Sequence, residues 1–567
     1  MGDRNLAHAR GGLNIPLVAD TLAIKLFAEV REKDGYVKNV TTGNNDLANQ
    51  DRTSSRFQLR YTPNDRTTVD FSASAYDSES DDYFFEHIDG IASDAPKFTS
   101  TNDYENNSKI ELFNASVTIE HEFENGYTLT SVTALLDDEL QFGADVEATP
   151  NPIVDIIAFV AAEQFSQELR IASPSDRSYD FVAGLYYDDE DSQNHETILV
   201  GPGFPFPPIQ NSIFGGGGNT LNRTSWAAFI HANFDLNEQV TLFGGMRYSD
   251  ETKKQKTHPD TCANFFTCVI LGNPALAAIT DAPVDITLDE WTWTAGLRYH
   301  VHQDLMIYGS IGTGVKSGAF SSTSDPVGDY ASNNLVTDPE EVTSYELGIK
   351  SSLLDNHVNL NFALFYMDYE DLQVRIGCAQ CGPGGIPDRS FSNAAKATAK
   401  GFEVEIVAFP TESLKLTAGI GSLDATYDEW VGGVEDPRRG EEFFDVSGNA
   451  IALSADWSVN ASAQHTTELM GGILSSRLDL SYVDDRYSDG SFHNHPEDIV
   501  PSQTLLNGRV SYRPVEDSWG VSLWVKNLTD DDSKVYAAYG STFLPAASNR
   551  AQYQQPRTYG VTINLEF

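Results

Sequence analysis

The C-terminal stretch Tyr559-Gly560-Val561-Thr562-Ile563-Asn564-Leu565-Glu566-Phe567 puts an aromatic or aliphatic residue at every second position and a small or polar one between. A period of two is the signature of a strand with one apolar face. The pattern recurs along the chain. Val358, Leu360, Phe362, Leu364 and Tyr366 alternate with Asn359, Asn361 and Ala363, and Trp291, Trp293, Ala295, Leu297 and Tyr299 with Thr292, Thr294, Gly296 and Arg298. Phe402, Val404 and Ile406 alternate with Glu403 and Glu405, and Leu478, Leu480 and Tyr482 with Arg477, Asp479 and Ser481. One face is apolar and the other charged, which fits a sandwich in water or a barrel in lipid.

The connections separate the two. Short turns at Pro63 to Asp65, Glu124 to Gly126, Asp235 to Glu238, His302 to Asp304, Leu354 to Asn356 and Pro410 to Ser413 alternate with long polar segments. Among the latter are Asp81 to Lys109, Asp137 to Ala162, Asp188 to Arg223, Asp250 to Ile286, Asp371 to Lys396 and Asp484 to Ser502. Strict short-then-long alternation belongs to an up-and-down membrane barrel, with tight turns on the periplasmic rim and long loops outside. The predicted fold is therefore all-β: a transmembrane antiparallel up-and-down β-barrel of the 22-stranded type, with about 21 strands present.

Composition narrows the function classes. The 567 residues carry 37 basic against 83 acidic side chains, a net charge of -46. Such a chain repels phosphates and gains nothing from counterion release, so nucleic acid is excluded as a partner. No run approaches the roughly 18 to 20 apolar residues of a membrane helix. The nearest, Ile153 to Ala162, is short and holds Asp155. With 40% hydrophobic and 11% aromatic residues the chain is too apolar to be a disordered acidic tail.

Several segments resemble the barrel of TonB-dependent outer-membrane receptors. They are Arg10-Gly11-Gly12-Leu13-Asn14-Ile15-Pro16-Leu17, Gln167-Glu168-Leu169-Arg170, Gly314 to Phe320, Ser344 to Ser351, Val525-Lys526-Asn527-Leu528-Thr529-Asp530 and Pro556-Arg557-Thr558-Tyr559-Gly560. The resemblance covers essentially the whole chain. It implies a 22-stranded barrel normally filled by an N-terminal plug, taking up a scarce ligand, an iron-siderophore complex by default, with energy relayed by TonB through the plug. On the family pattern residues 1 to 567 are barrel alone, without signal peptide, TonB box, plug or first strand. Expected partners are outer-membrane lipid, a small-molecule ligand and the barrel assembly machinery, with a monomer expected and no cofactor. A passive porin-like channel and a secreted adhesive β-protein are the alternatives. Tyr559, Val561, Ile563, Leu565 and Phe567 resemble the C-terminal signal read by that machinery.

No set of side chains reads as catalytic, so no enzyme is expected. Cys262 with Cys268, and Cys378 with Cys381, are close pairs on the presumed outer loops and fit disulfides of an oxidising compartment. His493 and His495, two apart on an extended segment, would point one way and offer two imidazoles to a ligand; whether a metal binds is left open. Tyr83, Phe84 and Phe85 read as an interfacial girdle or a ligand-stacking patch, and Arg298 and Arg477 as lumen-facing ligand contacts. The acidic runs Asp77 to Asp82 and Asp188 to Asp191 read as solvated loop mouths, and Gly215 to Gly218 as a flexible loop.

Overall fold

The computed structural model describes residues 1–81, 86–87, 96–104, 107–145, 148–203, 212–259, 284–320, 336–378, 388–430, 434–436, 441–488, 492–515, 518–538 and 550–567. Twenty-one strands form one sheet, each antiparallel to the next in sequence. The chain opens with β1 (Ala7–Val18), β2 (Leu22–Lys33), β3 (Gln50–Asn64), β4 (Thr67–Ser80), β5 (Asn107–Glu122) and β6 (Thr128–Asp145). The longest consecutive run follows: β7 (Val154–Ala172), β8 (Tyr179–Val200), β9 (Ser212–Asp235), β10 (Val240–Pro259) and β11 (Val284–His302). Next come β12 (Leu305–Lys316), β13 (Glu340–Leu353), β14 (Val358–Cys378), β15 (Asp388–Thr411) and β16 (Leu414–Trp430). The last are β17 (Trp457–Leu469), β18 (Gly472–Val483), β19 (Gln503–Pro514), β20 (Trp519–Lys526) and β21 (Thr558–Leu565). Strand lengths run from 8 residues in β20 and β21 to 24 in β9 and β15, so the wall is tall on one side and low on the other.

An odd number of alternating strands leaves the first and last parallel, and the N-terminus bridges that mismatch. Met1 to Asp3 runs antiparallel along β21: Gly2 pairs with Gly560, Val561 N donates to Met1 O at 2.8 Å and Asp3 N to Tyr559 O at 3.0 Å. Arg4 and Asn5, at φ of 53° and 52°, then reverse the chain into β1. Left-handed pairs of this kind make the tight hairpin turn that matches strand twist. The stub holds the place of a strand for three residues only, and every residue of β1 is exposed.

Exposure and register fix which face meets lipid. On β8 Leu185 and Tyr187 are exposed; on β9 Trp226, Ile230 and Phe234; on β11 Trp291, Trp293, Leu297 and Tyr299. These lie within about twelve residues of the short turns, close to the ~9–11 residues that a tilted strand needs to cross the hydrocarbon. Outward rings ascend to a common level. Phe165 meets Tyr187 at 6.4 Å, Trp226 meets Tyr248 at 5.3 Å, Tyr248 meets Trp291 at 5.0 Å, and Tyr187 faces Trp226 across the ladder. This is an aromatic girdle at the upper membrane interface. Directly above it the outward positions turn acidic, at Asp189, Asp250 and Asp289.

Two sequence expectations are corrected here. Asp137 to Ala162, Asp188 to Arg223 and Asp371 to Lys396 are not wholly loops, because β6 to β9, β14 and β15 extend well into them. Asp188 to Asp191 therefore lies within β8, and Gly215 to Gly218 within β9, laddered to Ile198, Thr197, Glu196 and His195. Above the girdle both faces of the sheet meet water or polar groups, so the ladder continues after the apolar alternation stops.

Candidate functional site

Residues adjacent in sequence to the outward set point into the lumen, because side chains alternate along a strand. On the tall wall the inward charges form one chain. Arg223 of β9 reaches Asp188 Oδ2 at 2.6 Å, Glu190 Oε2 at 2.7 Å and Glu251 Oε2 at 3.5 Å. Lys253 Nζ lies 3.3 Å from Glu251 Oε1, donates to Gly318 O at 3.1 Å and also bonds Ser317. From β14, Gln373 Nε2 donates to Ser317 O at 2.9 Å and to Asp338 O at 3.1 Å. Charge pairs thus tie β8, β9 and β10 together above the membrane, and hydrogen bonds through Ser317 and Gly318 carry the contact on to Gln373 of β14. Asp188 is only 2% exposed, and the Arg223 guanidinium supplies its countercharge while Gln164 Nε2 donates to the same oxygen at 2.9 Å. Lower on the same wall, Arg247 sits 5.6 Å from the Tyr186 ring centre, and Arg298 sits 4.4 Å over Phe243 while donating to Asn233 Oδ1 at 3.0 Å. Guanidinium on an aromatic face is a polarised platform for a ligand moving down the lumen.

A second cluster caps β6 and β7. Asp103, Asp145 and Asp155 bring carboxylate oxygens within 4.8 Å of one another. Asp145 is fully buried and accepts from Ala148 N at 2.6 Å and Asp103 N at 3.0 Å. Asp103 Oδ1 and Asp155 Oδ1 are buried without a hydrogen-bond partner. These residues stand more than a membrane crossing above the periplasmic end of β7. Burial, reinforced by the charge of Asp103, pushes the Asp155 carboxyl up to about 7, and burial also raises Asp103. Such a group either shares protons near neutrality or presents hard oxygen donors to a cation.

The residues singled out from sequence are dispersed. Arg298 lies on the inner face of β11, as above. Arg477 of β18 faces the lumen opposite Arg509 and is held by Asp479 at 2.6 Å. His493 and His495 lie in the segment after β18, but Asn494 between them has a φ of 50°, so the chain turns and the extended geometry that would align two imidazoles is not met. Asn494 instead clamps Ala450, accepting from its N at 2.6 Å and donating to its O at 3.0 Å. Close by, Tyr427, Trp430 and Phe492 stack around buried Val446. Tyr83, Phe84, Phe85, Cys262, Cys268 and Cys381 lie outside the described residues, as does the side chain of Cys378, whose backbone closes β14 opposite Asp388. Tyr559, Val561, Ile563 and Leu565 are exposed on the outer face of β21, and Phe567 extends beyond it. A cavity of about 490 Å³ with Gly508 in its lining is bordered by outward-facing Leu478, Val510 and Leu523, so it belongs to the lipid side.

Sequence reading missed the Arg223 chain and the carboxylate trio. The first had a signal: an isolated arginine on the strand after an acidic run. The trio had none, because three separate segments supply it.

Comparison with known proteins agrees with this architecture. A family model described as TonB dependent receptor-like, beta-barrel matches residues 4–528. The pesticin receptor of Yersinia enterocolitica is 25% identical over 404 residues, which are 71% of this chain and 51% of that protein. The probable TonB-dependent siderophore receptor PiuA of Acinetobacter baumannii is 27% identical over 135 residues, 24% of this chain and 17% of that one. The chain thus spans about half the length, or less, of these curated relatives. Among solved structures, the ferric yersiniabactin uptake receptor FyuA from Yersinia pestis superposes with a TM-score of 0.80 at 17% identity, covering 100% of this chain and 78% of that one. The siderophore receptor PiuA from Acinetobacter baumannii gives 0.76 at 16% identity, covering 99% and 80%.

Proposed function

Because the chain belongs to the TonB dependent receptor-like β-barrel family, whose members are transport receptors, we propose that it is the barrel of an outer-membrane receptor for TonB-dependent uptake of an iron-siderophore complex. The observation carrying this reading is the family match along residues 4–528, joined to relatives whose names speak of siderophore receptors. Its physical counterpart is the lumen: inward arginines over aromatic rings and a braced upper wall suit a polar ligand that must be held and released. In this reading TonB acts through a plug, outer loops with the rim above β6 to β9 capture the ligand, and Tyr559 to Phe567 serve as the assembly signal. The protein works as a monomer in the outer membrane of a Gram-negative bacterium.

The test is uptake of radiolabelled iron by cells that carry or lack the gene, each with and without TonB, under iron limitation. The proposal expects accumulation that needs both. Uptake independent of TonB would favour a passive channel, and unchanged iron uptake in the deletion strain would overturn the iron reading.

A further inference from the structure

Some inward arginines have carboxylate partners in the fold, whereas a buried group of cations at the top of β2 and β3 has none. Arg60 of β3 is gripped by Asp70 through two bonds of 2.7 and 2.9 Å, and Arg223 has three carboxylates. Higher on β3, Arg52 stands directly opposite Arg31 of β2, and both share the inward face with Lys25 and Gln58. Like charges directly opposed across a ladder are destabilising unless something negative lies between or beside them. Beside this pair is Lys33, two residues on and 7% exposed, opposite Gln50. Arg4 completes the group: Asp34 N donates to its carbonyl at 3.0 Å, and its guanidinium lies 4.8 Å from the Tyr36 ring centre. Arg4 Nη1, Arg31 Nε and Arg52 Nε are all buried without a hydrogen-bond partner.

The nearby carboxylates do not answer this charge. Glu29 is taken by His8 at 2.8 Å and Asp34 by Asn5 Nδ2 at 2.6 Å, and Asp3 reaches Arg4 only at 4.0 Å while accepting from Tyr559 N at 3.3 Å. Glu32 and Asp51 alternate to the other face of their strands. Among the described residues, Arg31, Lys33 and Arg52 have no ion pair, in a chain with 83 acidic side chains. Buried guanidinium nitrogens without acceptors carry a desolvation cost that a bound oxyanion would remove.

We propose that Arg4, Arg31, Lys33 and Arg52 form an oxyanion site on the inner wall, below the extracellular rim at the low side of the barrel, which takes a carboxylate group of a small molecule in the lumen. Guanidinium forks match carboxylate geometry with paired parallel bonds, and the ammonium adds charge without direction. The inference deepens the uptake reading, and rests on it only for the identification of the lumen as the ligand's path. A net charge of -46 does not bar an anionic ligand when cations are gathered on its path.

The test is calorimetric titration of citrate into the full chain in detergent micelles, at low and high salt. Binding is expected at low salt, weakening about tenfold for Arg31→Gln or Arg52→Gln, and unchanged for Arg60→Gln, whose guanidinium is already paired. Arg31→Lys, which keeps charge and loses the fork, is expected between the two. Citrate is also expected to raise the unfolding temperature of the wild type and not of Arg52→Gln, a readout that serves if a double variant fails to fold. Absence of citrate binding by the wild type, or equal binding by Arg31→Gln, Arg52→Gln and Arg60→Gln, overturns the site. Citrate binding in a protein that moves no iron would overturn the uptake reading and leave the site standing.

Discussion

The tall wall, β7 to β11, and the low wall, β17 to β21, cross the same membrane and treat their charges in opposite ways. Strands of 19 to 24 residues stand on one side and of 8 to 13 on the other. Since ~9–11 residues suffice to cross, the low strands are little more than membrane wall, while the tall ones carry a second storey in water. In that storey lipid no longer stabilises the outer face, and the sheet is held by its ladder and by charge pairs such as Arg223 with Asp188. On the low wall Arg477 and Asp479 pair on an open surface, 43% and 38% exposed.

The sharpest way to break this comparison is to remove one arginine from each wall. Arg223→Met strands a carboxylate that is 2% exposed beside two others, and breaking a buried pair from one side costs about 3–5 kcal/mol. Arg477→Met removes an exposed pair and should cost less than about 1 kcal/mol. Unfolding free energies from denaturant titration in lipid vesicles measure both. Equal losses would mean that the upper storey is not braced by buried charge.

The two walls should nevertheless share one lipid belt, because the girdle sets its height for every strand. Leu185 on β8 and Leu478 on β18 are both exposed, outward and seventh from the short turn. Substitution by arginine at either should cost about 2–4 kcal/mol if both lie near mid-bilayer. Asn361→Arg, on the lumen side of β14, should cost little. A large difference between Leu185→Arg and Leu478→Arg would show that the walls sit at different depths.

The same boundary explains what could be read from sequence. Tyr559 to Phe567 and Trp291 to Tyr299 were legible because lipid demands an apolar residue at each outward position. Asp188 to Val200 looked like loop because water on the outside and charge on the inside erase the period, although the backbone pairs residue by residue with β9. The strand count was legible from the turns, whereas the closure was not: Met1 to Asp3 is too short to carry a pattern. At the candidate sites, Arg298 could be placed on the inner face by alternation alone. Arg31 facing Arg52 needed the register between β2 and β3, and Asp103, Asp145 and Asp155 needed the three-dimensional fold.

That trio gives the smallest effect and the one most specific to the tall wall. An ordinary aspartate in the unfolded chain titrates near 3.8, whereas burial and the neighbouring Asp103 hold Asp155 at about 7 in the folded protein. Its ionised form is therefore disfavoured by folding. Above pH 7 the group is charged in both states and the folded state bears the full cost of holding it. As pH falls through about 7 the folded state takes up a proton that the unfolded state does not, and stability rises until the unfolded chain protonates near 3.8. Thermal midpoints measured with a chelator present should thus be higher at pH 5.5 than at pH 8 by this contribution, about the order of a few degrees. Asp155→Asn should remove that part of the slope and stabilise the protein at pH 8, because a neutral amide has no like-charge neighbour to oppose it. Comparable effects from Asp479→Asn on the low wall, where the carboxylate is exposed and paired with Arg477, would dissolve the distinction between the storeys.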